Sequence, residues 1–166
     1  TPESARKKKP REHTSIGEYI QSAIEAFAVS PRAQMYLQRR GFIGESMLRF
    51  RFGFEAKRDA IVIPYGEHSE YYTSRSISGK RFFKPRSEDA GPEPLFYEES
   101  MDQGEPVFVV ESAFCALSIQ QEGGHAVAVC GTGTHKLIDA LRARKIGTRR
   151  IRAARIRTKS RCSKRA

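Results

Sequence analysis

Val107-Phe108-Val109-Val110-Glu111-Ser112-Ala113-Phe114-Cys115-Ala116-Leu117-Ser118-Ile119, followed by Ala126-Val127-Ala128-Val129-Cys130-Gly131-Thr132-Gly133-Thr134, is the stretch that decides the fold. Four uninterrupted apolar residues, 107 to 110, read as a strand covered on both faces of a parallel sheet. Glu111 and Ser112 end it, a helix through Phe114, Leu117 and Ile119 follows, and Gly123-Gly124 stops that helix. Residues 126–129 form a second buried strand, and a helix runs from His135 to about Lys145. Strand, helix, strand, helix with short loops is a βαβ unit with a right-handed crossover.

Upstream, the pattern differs. Ile16, Tyr19, Ile20, Ala23, Ile24 and Phe27 keep the three-and-four spacing of an amphipathic helix, with Thr14 or Ser15 as N-cap and Glu18 placed for a capping box. Pro31 opens a second helix that Arg39, Arg40 and Gly41 end, and a short third helix is expected around Glu45 to Phe50. Residues 61–63, 71–77 and 81–83 read as strands, and Pro85 to Pro94 as a loop. The expected division is a disordered basic lead-in over residues 1–13, an α+β N-terminal subdomain over 14–100, a partial parallel α/β subdomain over 101–145, and a basic tail over 146–166. In that tail the hydrophobic period fails, and it reads as non-native or disordered.

The 166 residues carry a formal charge of +11. Five basic side chains and one acid fall within residues 1–11, and twelve basic side chains and no acid within 142–166, which leaves residues 12–141 with 13 basic and 18 acidic residues, a net of −5. The excess charge therefore belongs to the ends, and weighs less for a nucleic-acid partner than the total suggests. No apolar run reaches the roughly 20 residues of a spanning helix, and no signal segment follows the basic N-terminus, so a cytoplasmic protein without membrane contact is expected. Cys115, Cys130 and Cys162 stand singly, without zinc spacing. They point to a reducing compartment, the first two as small buried apolar residues.

Functional residues of an open parallel sheet gather at the carboxyl ends of its strands. Glu111 stands there, able to bind Mg²⁺ or move a proton, although a helix N-terminal acid needs no such role. The Gly131 to Thr134 turn could bring backbone amides to a phosphate, and equally serves as a tight turn and cap. Arg49, Arg75, Lys80, Arg81 and Lys84, interleaved with Phe82 and Phe83, suggest a surface that holds phosphates and stacks bases. An amphipathic edge hairpin with its charges outward accounts for the same residues.

Several segments, in order, carry a resemblance. Tyr36-Leu37-Gln38-Arg39-Arg40-Gly41, Leu48-Arg49-Phe50-Arg51-Phe52-Gly53, Ile61-Val62-Ile63-Pro64, Ser74-Arg75-Ser76-Ile77, Lys80-Arg81-Phe82-Phe83-Lys84-Pro85 and Pro94-Leu95-Phe96 resemble the catalytic core of DnaG-type bacterial and phage primases. Val109-Val110-Glu111-Ser112 is similar to the first motif of the TOPRIM domain. The resemblance implies an α+β subdomain followed by a TOPRIM-like α/β subdomain with a partial sheet. It implies a DNA-directed RNA polymerase that makes short primers on single-stranded DNA from nucleoside triphosphates with Mg²⁺ (or Mn²⁺), and a replicative helicase as possible partner through regions not in this chain. Glu111 would be the catalytic and metal-associated acid. Arg49, Arg75, Lys80, Arg81 and Lys84 would hold template and nucleotide.

Two departures qualify this. Ser112 and Cys115 replace a glycine and an aspartate common in the family, and the second acidic motif, Asp-x-Asp, is missing: no acid follows Asp139. Mg²⁺ normally needs more than one carboxylate, so little or no primer synthesis is expected of this chain. A non-catalytic nucleic-acid-binding module is one alternative. The TOPRIM part of a phage or plasmid primase-helicase, a topoisomerase or a nuclease is another, disfavoured by the first 85 residues. The missing motif is due near residue 150, and Arg155-Ile156-Arg157-Thr158 encoded CGG-ATA-CGG-ACN would read Asp-Thr-Asp two bases later, so a truncating frame change is expected. Sequencing the coding DNA across residues 140 to 166 checks this: acidic codons in the alternative frame are the expected result, and their absence rejects it.

Overall fold

The computed structural model describes residues 15–131, 134–147 and 150–153. Helix α1 (Ile16–Ala28) starts in the predicted capping box: Glu18 N donates to Ser15 Oγ (3.2 Å) and Ser15 N to Glu18 Oε2 (2.9 Å). Helix α2 (Pro31–Arg39) has Ser30 as cap and Pro31 in its first turn, and Gly41, in the left-handed region at φ 91°, ends the segment. Helix α3 spans Gly44–Arg49.

An antiparallel sheet follows, ordered β1 (Gly53–Glu55), β2 (Ala60–Pro64), β3 (Tyr72–Ser76) and β4 (Phe82–Phe83). Alternation along β2 sends Val62 to one face and Ile61 and Ile63 to the other. On the Val62 face Ile20 and Ala23 of α1 pack with Tyr72. The approach is close because residue 53 is glycine: a β-carbon there would lie 2.7 Å from Ala23 Cβ. The opposite face joins Phe42, Phe50 and Phe52 in a cluster of aromatic rings.

The second sheet is parallel, ordered β6 (His125–Ala128), β5 (Val107–Val110), β7 (Ile151–Ala153), so the α+β part is followed by an α/β part as expected. Helix α5 (Ala113–Gln121) covers the face carrying Val110, Ala126 and Ala128, and helix α6 (Thr134–Ala143) the face carrying Val107 and Val127. One core runs through both sheets, since Phe114 of α5 lies 5.8 Å from Phe42 and 6.2 Å from Phe52, ring centre to ring centre. The backbone also stitches them: Phe96 exchanges two bonds with Ala128 of β6 (both 3.2 Å), and Tyr97 N donates to Tyr65 O (2.6 Å), just past β2.

Three sequence expectations change. Residues 151–153, expected in a non-native or disordered tail, form β7 beside β5. A three-residue strand in which only Ile151 is half-buried leaves no hydrophobic period to detect. The loop from Pro85 to Pro94 holds a helical turn, α4 (Ser87–Ala90). Strand β1 was not anticipated, because it begins on a glycine and exists by pairing with β2 under α1. The lead-in over residues 1–13 lies outside the described residues.

Phe52, 1% exposed and touched by three rings, tests the shared core. Phe52→Ala is expected to cost ~3–5 kcal/mol in chemical denaturation, lost in a single transition because both parts share the cavity.

Candidate functional site

The carboxyl ends of β5 and β6 meet the antiparallel sheet. Glu111 directly follows β5, is exposed, and its carbonyl accepts from Cys130 N (3.0 Å). Ser112 caps α5 by accepting from Cys115 N (3.3 Å). Lys84, just beyond β4, reaches this edge: its Nζ donates to both Glu93 carboxylate oxygens (2.7 and 2.6 Å) and to Cys130 O (3.1 Å). The Tyr65 hydroxyl also donates to Glu93, and Lys136 of α6 donates to the Glu93 main-chain carbonyl. Two ammonium groups thus anchor on one residue beside Glu111.

Burial dominates the titration here. It pushes the Tyr65 phenol far above its ordinary range, with the Cys130 thiol and the Glu93 carboxylate adding to the effect. Cys130 is likewise raised to about 11, first by burial and then by the Glu93 charge, with Lys84 opposing. Cys115 and Cys130 are half-buried rather than fully buried, Cys115 in the first turn of α5 and Cys130 just beyond β6.

Beside this edge lies a stack of rings and guanidinium groups. Arg75 of β3 has Cζ 5.1 Å from the centre of the Phe82 ring and 5.8 Å from that of Phe114. Arg40, the C-cap of α2, stands 4.7 Å from Phe114 and 4.8 Å from Tyr36. Arg40 Nε and Arg75 Nε are buried and have no hydrogen-bond partner. Phe82 is 57% exposed.

The structure divides the predicted basic set. Lys84 reaches Cys130, whose N–H bonds the Glu111 carbonyl, Arg75 reaches Phe114 in the helix that follows Glu111, and Lys80 is exposed in the β3–β4 turn. Arg81 lies 5.9 Å from Phe83, a ring that Arg58 also covers at 4.9 Å. Phe83 and Phe82 are consecutive in a strand, so they face opposite sides of the sheet. Arg49 is farther still: Nη2 donates to Gln120 O (2.8 Å) at the end of α5, by the amino edge of the parallel sheet, where His125 pairs with Val107. Arg40, Glu93, Tyr65 and Lys136 are not among the site residues read from sequence; Arg40 stands there as a helix-ending cation within the Tyr36 to Gly41 segment, with no role assigned to it.

The donor set does not suit Mg²⁺. Among the described residues no group of three His, Cys, Asp or Glu side chains could hold a metal ion. Among the described residues Glu111 is a lone carboxylate, Glu93 is taken by Lys84 and Tyr65, and the sequence holds no acid after Asp139. Six oxygen ligands at short range call for more negative charge than this.

No protein-family model and no curated protein matches the chain. Solved structures do. The structure of the DnaG catalytic core matches at TM-score 0.62 and 18% identity, over 77% of this chain and 57% of that one. The DnaG primase catalytic domain bound to ssDNA matches at 0.62 and 18%, over 77% and 58%. The fold is that of a primase catalytic core. The Aquifex aeolicus primase, zinc-binding and RNA polymerase domains, shares it at TM-score 0.55 and 18% identity, over 80% of this chain and 48% of that one. The chain therefore spans about half to three-fifths of the length of these primase structures.

The raised thiol gives a measurable consequence. Only a thiolate alkylates, so at pH 8 about one Cys130 in a thousand should be reactive, and the rate should climb toward pH 11. Following iodoacetamide labelling by mass spectrometry checks this, and Glu93→Gln, which removes a raising charge, should move the profile to lower pH.

Proposed function

We propose that this chain is a primase-type core that binds single-stranded DNA across Arg40, Arg75 and Phe82 and does not itself join nucleotides with Mg²⁺. The observation that carries the reading is the pair of guanidinium groups flanking one ring, Phe114, each with a buried unpaired Nε. Two like charges on one ring, without a carboxylate between them, are relieved when a phosphate enters. Exposed Phe82 beside Arg75 offers a base a stacking face. The solved primase domain bound to ssDNA, which shares the fold, supports the same ligand class here.

At the carboxyl edge Lys84 and Lys136 would meet the phosphates of a nucleoside triphosphate, and Glu111 would face them as a lone carboxylate. That edge can hold charge and orient a ligand. Among the described residues it lacks the paired acids that would hold metal ions on a transferring phosphoryl group.

Binding of a fluorescent oligodeoxynucleotide at about 50 and about 200 mM salt tests the reading. Arg40→Gln and Arg75→Gln should each weaken binding and reduce the slope of log K against log salt by about 0.7, the value for one single-strand phosphate contact. If both variants bind with the parental affinity and slope, the basic ends alone hold the DNA and the reading fails.

The second half of the proposal has its own measurement. The purified chain with template, nucleoside triphosphates and Mg²⁺ is expected to yield no dinucleotide above the level of a Glu111→Gln variant. Template-dependent product that disappears in that variant would overturn it.

A further inference from the structure

We infer that the amino edge of the parallel sheet carries a second binding site, a cavity for a small molecule that enters by one anionic group, a carboxylate or a phosphate. The cavity holds about 280 Å³ and is lined by Arg49, Phe50, Glu67, Tyr97, Gln103 and His125, with Gly123 and Gly124 at its rim. It lies at the opposite end of α5 from Glu111, so the two sites are separated by the length of that helix.

Three features converge on it. Arg49 lies over the Phe50 ring with Cζ 4.6 Å from its centre, and a single bond, to Gln120 O, fixes it; among the described residues no carboxylate pairs with it. A guanidinium oriented in this way keeps a donor fork open for a planar or tetrahedral anion. Tyr97 is a buried aromatic residue at φ 54°, in the left-handed region that such side chains avoid, and its ring meets Phe50 edge-on at 6.2 Å. Strain of this kind gathers at binding sites. His125 occupies space that exists only because residue 104 is glycine, since a β-carbon there would overlap its imidazole.

Arg49, Gln103 and His125 supply donors to the anion, and the aromatic walls exclude water from the rest of the ligand. Glu67 also lines the cavity, and its negative charge there would select a singly anionic ligand bearing an N–H or O–H over a polyphosphate. The site is independent of the DNA surface, because none of its residues belongs to the Arg40, Arg75 and Phe82 set.

NMR titration of the whole 166-residue chain tests the inference, with inorganic phosphate in one arm and glycolate, a single carboxylate bearing an O–H, in the other. The Arg49 Nε and His125 ring signals should shift saturably in at least one arm, and the responding arm names the group. Arg49→Gln should weaken that binding at least about tenfold, the loss of one charged hydrogen bond, and Arg49→Lys should weaken it too because the fork is gone. Oligodeoxynucleotide affinity should stay within about twofold in both. Gln103→Ala, at an exposed position, repeats the test should Arg49 variants not fold, with a smaller weakening expected. Absence of shifts in both arms at ~10 mM probe, which is weaker than any useful site, or equal binding by Arg49→Gln and Gln103→Ala, overturns the inference. Failure of the DNA reading would show only in the Arg40 and Arg75 variants.

Discussion

The Phe114 ring is the contact through which two sheets of different kind become one surface. It stands in the first turn of α5 and touches Phe42 and Phe52, and Arg40 and Arg75 both approach it as well. The apolar contacts are worth the burial of a large aromatic side chain. The cationic contacts use the negative face of the same ring to hold two guanidinium groups near each other. The same side chain thereby joins the core and presents charge to solvent.

Charge along the rest of the molecule follows from strand alternation. Basic residues in a hairpin are dealt to opposite faces at every step, so Arg75 and Phe82 turn toward α5 while Arg81 and Phe83 turn away. Lys84 falls on the inner side and is drawn onto Glu93 at the strand ends. At the carboxyl edge of the parallel sheet, among the described residues, Lys84 and Lys136 both bond Glu93, and Glu111 stands exposed.

Much of this was legible in the sequence. The Val107–Val110 run, the helix after it and the Ala126–Val129 run are long, strongly patterned segments whose burial leaves a mark on every residue, and they form the expected βαβ unit. The capping box at Ser15 and Glu18 is local chemistry and needs no tertiary partner. What escaped was nonlocal. Strand β7 exists because β5 offers an open side to three residues that have no period of their own, and Gly53 reads as a breaker until Ala23 is seen above it. The grouping of Arg40 with Arg75 depends on α2 and β3 converging on a third element, which spacing along the chain cannot express. Arg49 and Arg75, grouped together as basic residues in the sequence, separate for the same reason.

The stitch at Phe96 and Tyr97 bears on how a ligand is met. Its backbone bonds to Ala128 on one side and to Tyr65 on the other clamp the two sheets at a fixed spacing through main chain alone. The packed seam behaves as a rivet driven through main chain, so the relative placement of Arg75 on one sheet and Phe114 beside the other is set before any ligand arrives. A residue inserted between Pro94 and Tyr97 would change that placement without touching either side chain.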